Sequence, residues 1–165
     1  MTRTPGAAGR GLREGLPLTI YLVRHAKAEE RAAGGDAERR LTLDGGDRFR
    51  ALAAGLSGRM SVARILASPF RRARETAEIL AAATGAPVEE ETALASGATP
   101  AAELLALARQ AGTGTALVGH NPELGEAIGL AAGAALEVKP GTVAAIELTG
   151  TRARLLWVEA PAKRL

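Results

Sequence analysis

The chain has 165 residues, of which 47% are apolar and 2% aromatic, with no cysteine and a formal net charge of +3 at pH 7. This size suits one globular domain with an aliphatic core, and the lack of cysteine excludes disulfides, thiolate metal sites and thiol catalysis. The weak, scattered positive charge and the few aromatic side chains argue against nucleic-acid binding. Because no apolar run could span a membrane and the N-terminus lacks the apolar core of a signal peptide, we expect a cytoplasmic protein with no membrane partner.

Strands and helices are predicted to alternate along the chain. Residues 1–17, rich in glycine and arginine, are predicted to be a flexible N-terminal extension, followed by one domain over 18–165. Hydrophobic periodicity predicts strands over 18–23, 64–68, 115–120, 142–148 and 153–158, a short strand from residue 88, and helices over 42–56, 69–83, 100–110 and 122–132. This alternation predicts a three-layer α/β/α sandwich with a mainly parallel central sheet.

Both histidines of the chain directly follow a predicted buried strand. His25 comes after the first strand with Arg24 beside it, and His120 follows the strand from residue 115 and precedes Asn121. Ligands of such sheets bind beyond the carboxyl ends of the strands, so both histidines should lie at one edge of the sheet. A single histidine at a strand end is more often structural. Because both histidines of this chain follow a strand, a shared site is favoured.

A third strand end opens a helix that is rich in arginine, in the segment SPFRRARETA at 68–77. A helix N-terminus carries unpaired N–H groups and attracts phosphate, and the planar guanidinium of arginine binds phosphate oxygens in pairs. Because Arg71, Arg72 and Arg74 cannot all point the same way on a helix, two of them are expected on a solvated face.

Four segments resemble the histidine phosphatase superfamily, which has the phosphoglycerate mutase-like fold. They read LVRHAKAE at 22–29, DAERRLTLDG at 36–45, SPFRRARETAEIL at 68–80 and VGHNPEL at 118–124. Their order and spacing agree with the family over about residues 18–161, and they most resemble its small phosphohistidine phosphatases of the SixA type. The resemblance implies the phosphoglycerate mutase-like fold and a hydrolase that needs neither a metal nor another cofactor.

The resemblance also implies a role for each matching residue. His25 matches the nucleophile, Arg24 a phosphate ligand, Arg72 the arginine of the RAxxTA pattern and His120 the second histidine of the pocket, and these four form the candidate catalytic set. Asn121 would offer its backbone N–H to the phosphate. Attack by His25 requires one unprotonated ring nitrogen, so the other nitrogen should donate to a carbonyl, and the nearby cations should lower the pKa of His25.

One departure concerns the proton donor. Larger members of the superfamily carry a glutamate that protonates the leaving oxygen, whereas here the residues after Leu94 are alanine, serine and glycine. The glutamates at 89–91 are expected on a solvated face or strand edge, and Glu29 is a weaker alternative because it lies near His25 in the sequence. The SixA type likewise lacks this acid.

The expected function is hydrolysis of a phosphoryl group through a phosphohistidine on His25, with phosphohistidine in a partner protein as the substrate. The short segment 81–113 leaves little chain for a lid over a small substrate, which favours a protein substrate over a mutase. Two alternatives remain: a phosphomonoesterase for a small metabolite, and a non-catalytic phosphate-binding regulatory module. A metal site formed by the two histidines would lack a third ligand, and a monomer that binds no nucleic acid is expected.

Overall fold

The computed structural model describes residues 15–162, and these contain the mixed α/β arrangement that the sequence predicts. Most of the predicted extension, residues 1–14, lies outside the described residues, so that prediction stays a prediction. The strands are β1 Leu18–Arg24, β2 Arg64–Ala67, β3 Val88–Glu90, β4 Thr115–Gly119, β5 Val143–Thr149 and β6 Arg152–Glu159. The helices are α1 Leu43–Leu56, α2 Arg71–Thr84, α3 Ala101–Ala111 and α4 Glu123–Ala132.

The strands form one mixed sheet in the order β3-β2-β4-β1-β5-β6. The first four strands in this order are parallel to one another. By contrast, β5 is antiparallel to β1, and β6 pairs with β5 as the predicted hairpin. The sheet is therefore mainly parallel, and β2, β4 and β1 end side by side at one edge.

Side chains that alternate along the strands separate two hydrophobic layers. On β1, Ile20 and Leu22 pack with the buried side chains of α3 and α4, whereas Tyr21 and Val23 pack with those of α1 and α2. Each face of the sheet is thus covered by one pair of helices, which is the predicted three-layer sandwich.

Helix α1 begins where the sequence predicts, and α2 does not. Thr42 caps α1 as predicted, because its Oγ1 accepts a hydrogen bond from the Gly45 N–H at 2.9 Å. By contrast, α2 begins at Arg71 rather than at Pro69, since Phe70 occupies the N-cap position with extended backbone. Among residues 15–162, no helix is long and apolar enough to cross a membrane.

The sequence predicts a loop between β1 and α1, and the structure adds one short regular element to it. A 3₁₀ helix spans Asp36–Glu38, and an isolated bridge pairs Ala28 with Leu41. The Glu29 N–H also donates to the Arg40 carbonyl at 2.8 Å. These bonds close the loop on itself and bring Asp36 toward the end of β1.

Candidate active site

The two histidines come together at the carboxyl edge of the sheet. His25 directly follows β1 and His120 directly follows β4, and these strands are parallel neighbours. The centroids of the two imidazole rings lie 5.2 Å apart, and both side chains are buried, at 8% and 3% exposure. The predicted juxtaposition at one edge is therefore present.

Hydrogen bonding decides which ring nitrogen of His25 carries the proton. Nδ1 lies 2.7 Å from the backbone oxygen of Ala26. Since a carbonyl oxygen can only accept, Nδ1 must be the donor, and Nε2 keeps its lone pair. The Nε–H of Arg72 donates to this Nε2 at 3.3 Å. The arrangement leaves the free lone pair on Nε2, facing a guanidinium.

Burial and neighbouring cations keep both imidazoles neutral near pH 7. Burial lowers the pKa of His25 to about 4; the charges of Arg72 and Arg24 act in the same direction, whereas the hydrogen bond to the Ala26 carbonyl opposes them. Burial also lowers the pKa of His120 to about 3, and the nearby His25 and Arg72 contribute to this shift. A neutral His25 retains the lone pair that nucleophilic attack needs.

Arg72 is the arginine that α2 turns into the site. It is 4% exposed, and besides His25 it binds Asp36, donating from Nη1 to the Asp36 backbone oxygen at 2.7 Å and from Nη2 to Oδ2 at 3.2 Å. Arg71 instead pairs with Glu75, and Arg74 is exposed. The three arginines divide as the sequence predicts.

A buried hydroxyl connects α2 to the segment that carries His25. Thr76 is fully buried; its Oγ1 accepts from the Ala26 N–H at 3.0 Å and donates to the Arg72 carbonyl at 2.7 Å. Thr76 thereby holds the main chain of Ala26, the residue whose carbonyl orients His25, next to the turn that carries Arg72.

Ser68 is a second buried hydroxyl of the site, and it lies beside His120. It follows β2 and is fully buried, and its Oγ accepts from the Phe70 N–H at 3.1 Å and lies 2.8 Å from Nε2 of His120. Since the hydroxyl proton has no other acceptor within residues 15–162, we infer that it donates to Nε2, which places the ring proton on Nδ1. This Nδ1 is buried and has no hydrogen-bond partner within the described part of the chain.

Arg24 and Asn121 meet at one carbonyl oxygen. Nη1 of Arg24 donates to the Val138 carbonyl at 2.9 Å, and Nδ2 of Asn121 donates to the same oxygen at 3.0 Å. Oδ1 of Asn121 accepts from the Gly125 N–H at 3.0 Å. The Asn121 side chain is therefore occupied by structural bonds, and its expected backbone contact with phosphate stays a prediction.

Two candidate proton donors named from the sequence are bonded to groups other than the two histidines. Glu29 pairs with Arg40, and Glu91 accepts from the Ala93 N–H. The carboxylate next to Arg72 is Asp36, whose pKa is lowered by hydrogen bonds from Arg39 and Arg72, so it is ionised and cannot donate a proton near pH 7. Among residues 15–162, no group of three or more histidine, aspartate or glutamate side chains is placed to hold a metal ion.

Sequence reasoning did not assign roles to Ser68, Thr76 and Asp36. Ser68 and Thr76 lie within the matched segment SPFRRARETAEIL, so their motif positions were the available signal. Asp36 begins another matched segment, but its contact with Arg72 depends on the fold of the loop after β1. Ser68 is hydrogen-bonded to His120, and Thr76 and Asp36 are hydrogen-bonded to Arg72. The sequence had singled out both His120 and Arg72.

Comparison with known proteins places this site in a family. A model described as "Histidine phosphatase superfamily (branch 1)" matches residues 20–97. An uncharacterized protein from Picosynechococcus sp. is 39% identical over 115 residues, which cover 66% of this chain and 70% of that protein. The chain belongs to the histidine phosphatase superfamily.

Solved structures refine the assignment to the SixA type. The protein histidine phosphatase SixA complexed with tungstate has a TM-score of 0.76 and 25% identity, covering 87% of this chain and 97% of that one. The SixA protein of Agrobacterium tumefaciens has a TM-score of 0.75 and 25% identity, covering 88% and 99%. A phosphoglycerate mutase from Bacillus anthracis shares the fold, with a TM-score of 0.68 and 18% identity over 87% and 93% of the two chains. These likenesses support phosphatase activity.

Proposed function

We propose that the protein hydrolyses phosphohistidine in a partner protein, without a metal ion, through a covalent phosphohistidine on His25. The observation that carries the proposal is the hydrogen bond of 2.7 Å from Nδ1 of His25 to the Ala26 carbonyl. This bond leaves the lone pair on Nε2, in a ring that burial and cations keep neutral. A phosphate-binding module has no need for a nucleophile prepared in this way.

In the first step, the Nε2 lone pair of His25 attacks phosphorus, and the bond from phosphorus to the substrate imidazole breaks. The leaving imidazole keeps the electron pair and takes up a proton from solvent. Arg72 and Arg24 supply positive charge to the phosphoryl oxygens, and the Nδ1–H of His120 supplies a neutral donor. Phosphoryl transfer depends mainly on such positioning and charge neutralisation, so side chains can do this work without a metal.

In the second step, water attacks phosphorus and the bond to Nε2 of His25 breaks. Phosphate leaves, and the ring nitrogen regains its lone pair. Tungstate, which binds the SixA relative, is a tetrahedral oxyanion like phosphate, and this supports a pocket for the transferred group. The bond between Nδ1 and Ala26 stays intact throughout, so the ring keeps its orientation for the next cycle.

The leaving group distinguishes a phosphohistidine substrate from a phosphate ester. An alkoxide is a poor leaving group and needs a positioned acid, whereas imidazole titrates near neutrality and leaves readily. Within residues 15–162, no carboxylic acid is hydrogen-bonded to either histidine of the site. In addition, only residues 91–100 lie between β3 and α3 beside this edge of the sheet, which is too little chain for a deep lid over a small metabolite.

A substrate panel tests the proposal. The purified protein is assayed at one pH with a phosphohistidine protein, an aryl phosphate and an alkyl phosphate such as phosphoglycerate, each with and without EDTA. We expect kcat/KM to fall in that order and to be unaffected by EDTA, and we expect His25→Ala to be inactive on all three. Equal turnover of the alkyl ester would favour a small-metabolite phosphomonoesterase, and activity that is lost in EDTA and restored by a divalent ion would refute the metal-free mechanism.

A further inference from the structure

A cavity of about 540 Å³ opens beside the nucleophile segment and is lined by cations. Its walls include Ala26 and Lys27, which directly follow His25, and also Arg48 of α1 and Lys139. The cavity thus borders the segment that directly follows His25, but none of the proposed catalytic side chains lines it.

The two lysines have positive charges that no residue among 15–162 neutralises. Within the described residues, neither the Lys27 nor the Lys139 ammonium forms a hydrogen bond or an ion pair, and both side chains are exposed. Arg48 is already engaged, since its Nε donates to the Ala162 carbonyl at 2.8 Å and its Nη1 lies 3.8 Å from Asp44. The lysines are therefore the charges that are free to meet a ligand.

Backbone hydrogen bonds hold Lys27 in place next to the nucleophile. The Lys27 carbonyl accepts from the Thr42 N–H at the start of α1, at 3.0 Å. Gly45 allows this close approach, because a Cβ at that position would lie only 2.3 Å from the Lys27 oxygen. The main chain of Lys27 is thus fixed against α1, two residues after His25.

Lys139 is held on the other wall by the same segment. Its carbonyl accepts from the Thr142 N–H at 3.1 Å, which closes a turn, and the Gly141 N–H within that turn donates to the His25 carbonyl at 2.9 Å. The main chains of both lysines are therefore connected to the His25 segment by short backbone paths, and their exposed side chains extend from these fixed points.

One carboxylate limits what the cavity can accept. Glu137 also lines it, is exposed and has no ion pair within residues 15–162. The net charge of the walls is therefore positive but modest. It suits a single anionic group better than a polyphosphate or an extended polyanion.

We propose that this cavity is a subsite for a second anionic group of the substrate, a carboxylate or phosphate carried close to the phosphoryl group that His25 attacks, with Lys27 and Lys139 as the residues that recognise it. The proposal rests on the proposed phosphatase function and adds the substrate class to it. An acidic side chain next to phosphohistidine in a protein, or a second phosphate on a small molecule, would supply the same chemistry.

The test compares substrates that differ only in the second anion. One arm uses phosphohistidine peptides with either aspartate or asparagine beside the phosphohistidine, and the other uses aryl phosphates with and without a carboxylate on the ring. Each is assayed with the wild-type protein, Lys27→Gln, Lys139→Gln and the double variant. The matched control is Arg152→Gln, which removes an exposed positive charge at the opposite edge of the sheet.

We expect the wild type to prefer the substrate with the second anion, and this preference to weaken with added salt. Each lysine substitution should lower kcat/KM for that substrate about fivefold, the upper range for an exposed ion pair. The double variant should lower it about 25-fold if the two charges act independently. Substrates without the second anion should be hydrolysed equally well by all variants, which separates this subsite from the phosphatase chemistry itself.

The arm with the stronger dependence on the lysines identifies the source of the anion. Equal effects of Lys27→Gln and Arg152→Gln, or no preference for the second anion in either arm, would overturn the subsite while hydrolysis of the simple aryl phosphate continues. Absence of hydrolysis of every substrate would instead count against the proposed function. Thermal unfolding of each variant checks that the exposed substitutions leave the fold intact.

Discussion

Replacing Arg72 with alanine should slow the reaction by about 10²–10³-fold in kcat/KM, the usual cost of removing one preorganised donor to developing charge. Arg72 is 4% exposed and binds His25 through Nε and Asp36 through both Nη atoms. Its loss removes the cation that faces the nucleophilic nitrogen. The variant should still fold, because the side chain of Asp36 is 59% exposed and water can replace the bond that its carboxylate loses.

The same substitution should change the pH dependence. Arg72 lowers the pKa of His25, so in Arg72→Ala that pKa rises toward the ordinary value of an imidazole. Protonated His25 cannot attack, and the acid limb of kcat/KM against pH reports this group in the free enzyme. The limb should therefore shift to higher pH. A loss of activity without this shift would mean that Arg72 does not act on His25.

Arg71→Ala and Arg74→Ala are the matched controls on the same helix. Arg71 pairs with Glu75 and Arg74 is exposed, so each substitution should change kcat/KM by no more than about twofold, as expected for surface positions. The assay is steady-state hydrolysis of a phosphohistidine protein across pH 4–8, with circular dichroism to verify folding. Similar small losses for all three variants would refute the assignment of Arg72 to the site.

Three further predictions concern the buried polar groups. Ser68→Ala should lower kcat/KM about tenfold. In this variant ¹⁵N NMR should show a mixture of His120 tautomers in place of the single form protonated at Nδ1. An unchanged spectrum would contradict the proposal that the Ser68 hydroxyl fixes the His120 tautomer. Thr76→Val should reduce the free energy of unfolding by about 1–3 kcal/mol because a buried N–H loses its acceptor, and it should lower kcat as well, measured by urea unfolding and steady-state kinetics. Because the folded pKa of His25 is lowered from 6.5 to about 4, the unfolded chain binds more protons between these values. The contribution of His25 to stability is therefore complete above about pH 6.5 and falls by roughly 3 kcal/mol toward pH 4. His25→Gln should remove this part of the pH dependence of unfolding and leave the part that comes from His120, whose pKa is lowered to about 3.

The meeting of the two histidines could be predicted because it depends on topology alone. Each follows a buried strand, and parallel strands bring their carboxyl ends to one edge. The donor role of Nδ1 in His25 could also be predicted, since a nucleophilic imidazole needs its other nitrogen held. Both predictions required only the order of strands and the chemistry of one ring.

The contacts that hold the arginines could not be predicted in this way. Asp36 reaches Arg72 only because the loop after β1 closes through the bridge between Ala28 and Leu41. Arg24 binds the Val138 carbonyl, which lies 114 residues away in the chain. Such contacts depend on loop conformations that hydrophobic periodicity does not specify. The start of α2 differs from the prediction for the same reason, because the extended backbone of Phe70 at the N-cap is a local conformation.

The most direct test of the account is to trap the covalent intermediate. The protein is mixed with a phosphohistidine substrate, quenched at alkaline pH where phosphohistidine survives, and analysed by ³¹P NMR and peptide mass spectrometry, with His25→Ala and His120→Ala in parallel. We predict one phosphoryl group on Nε2 of His25 in the wild type and none in His25→Ala. Phosphorylation of His120 instead, or full hydrolysis by His25→Ala, would contradict the assignment of His25 as the nucleophile.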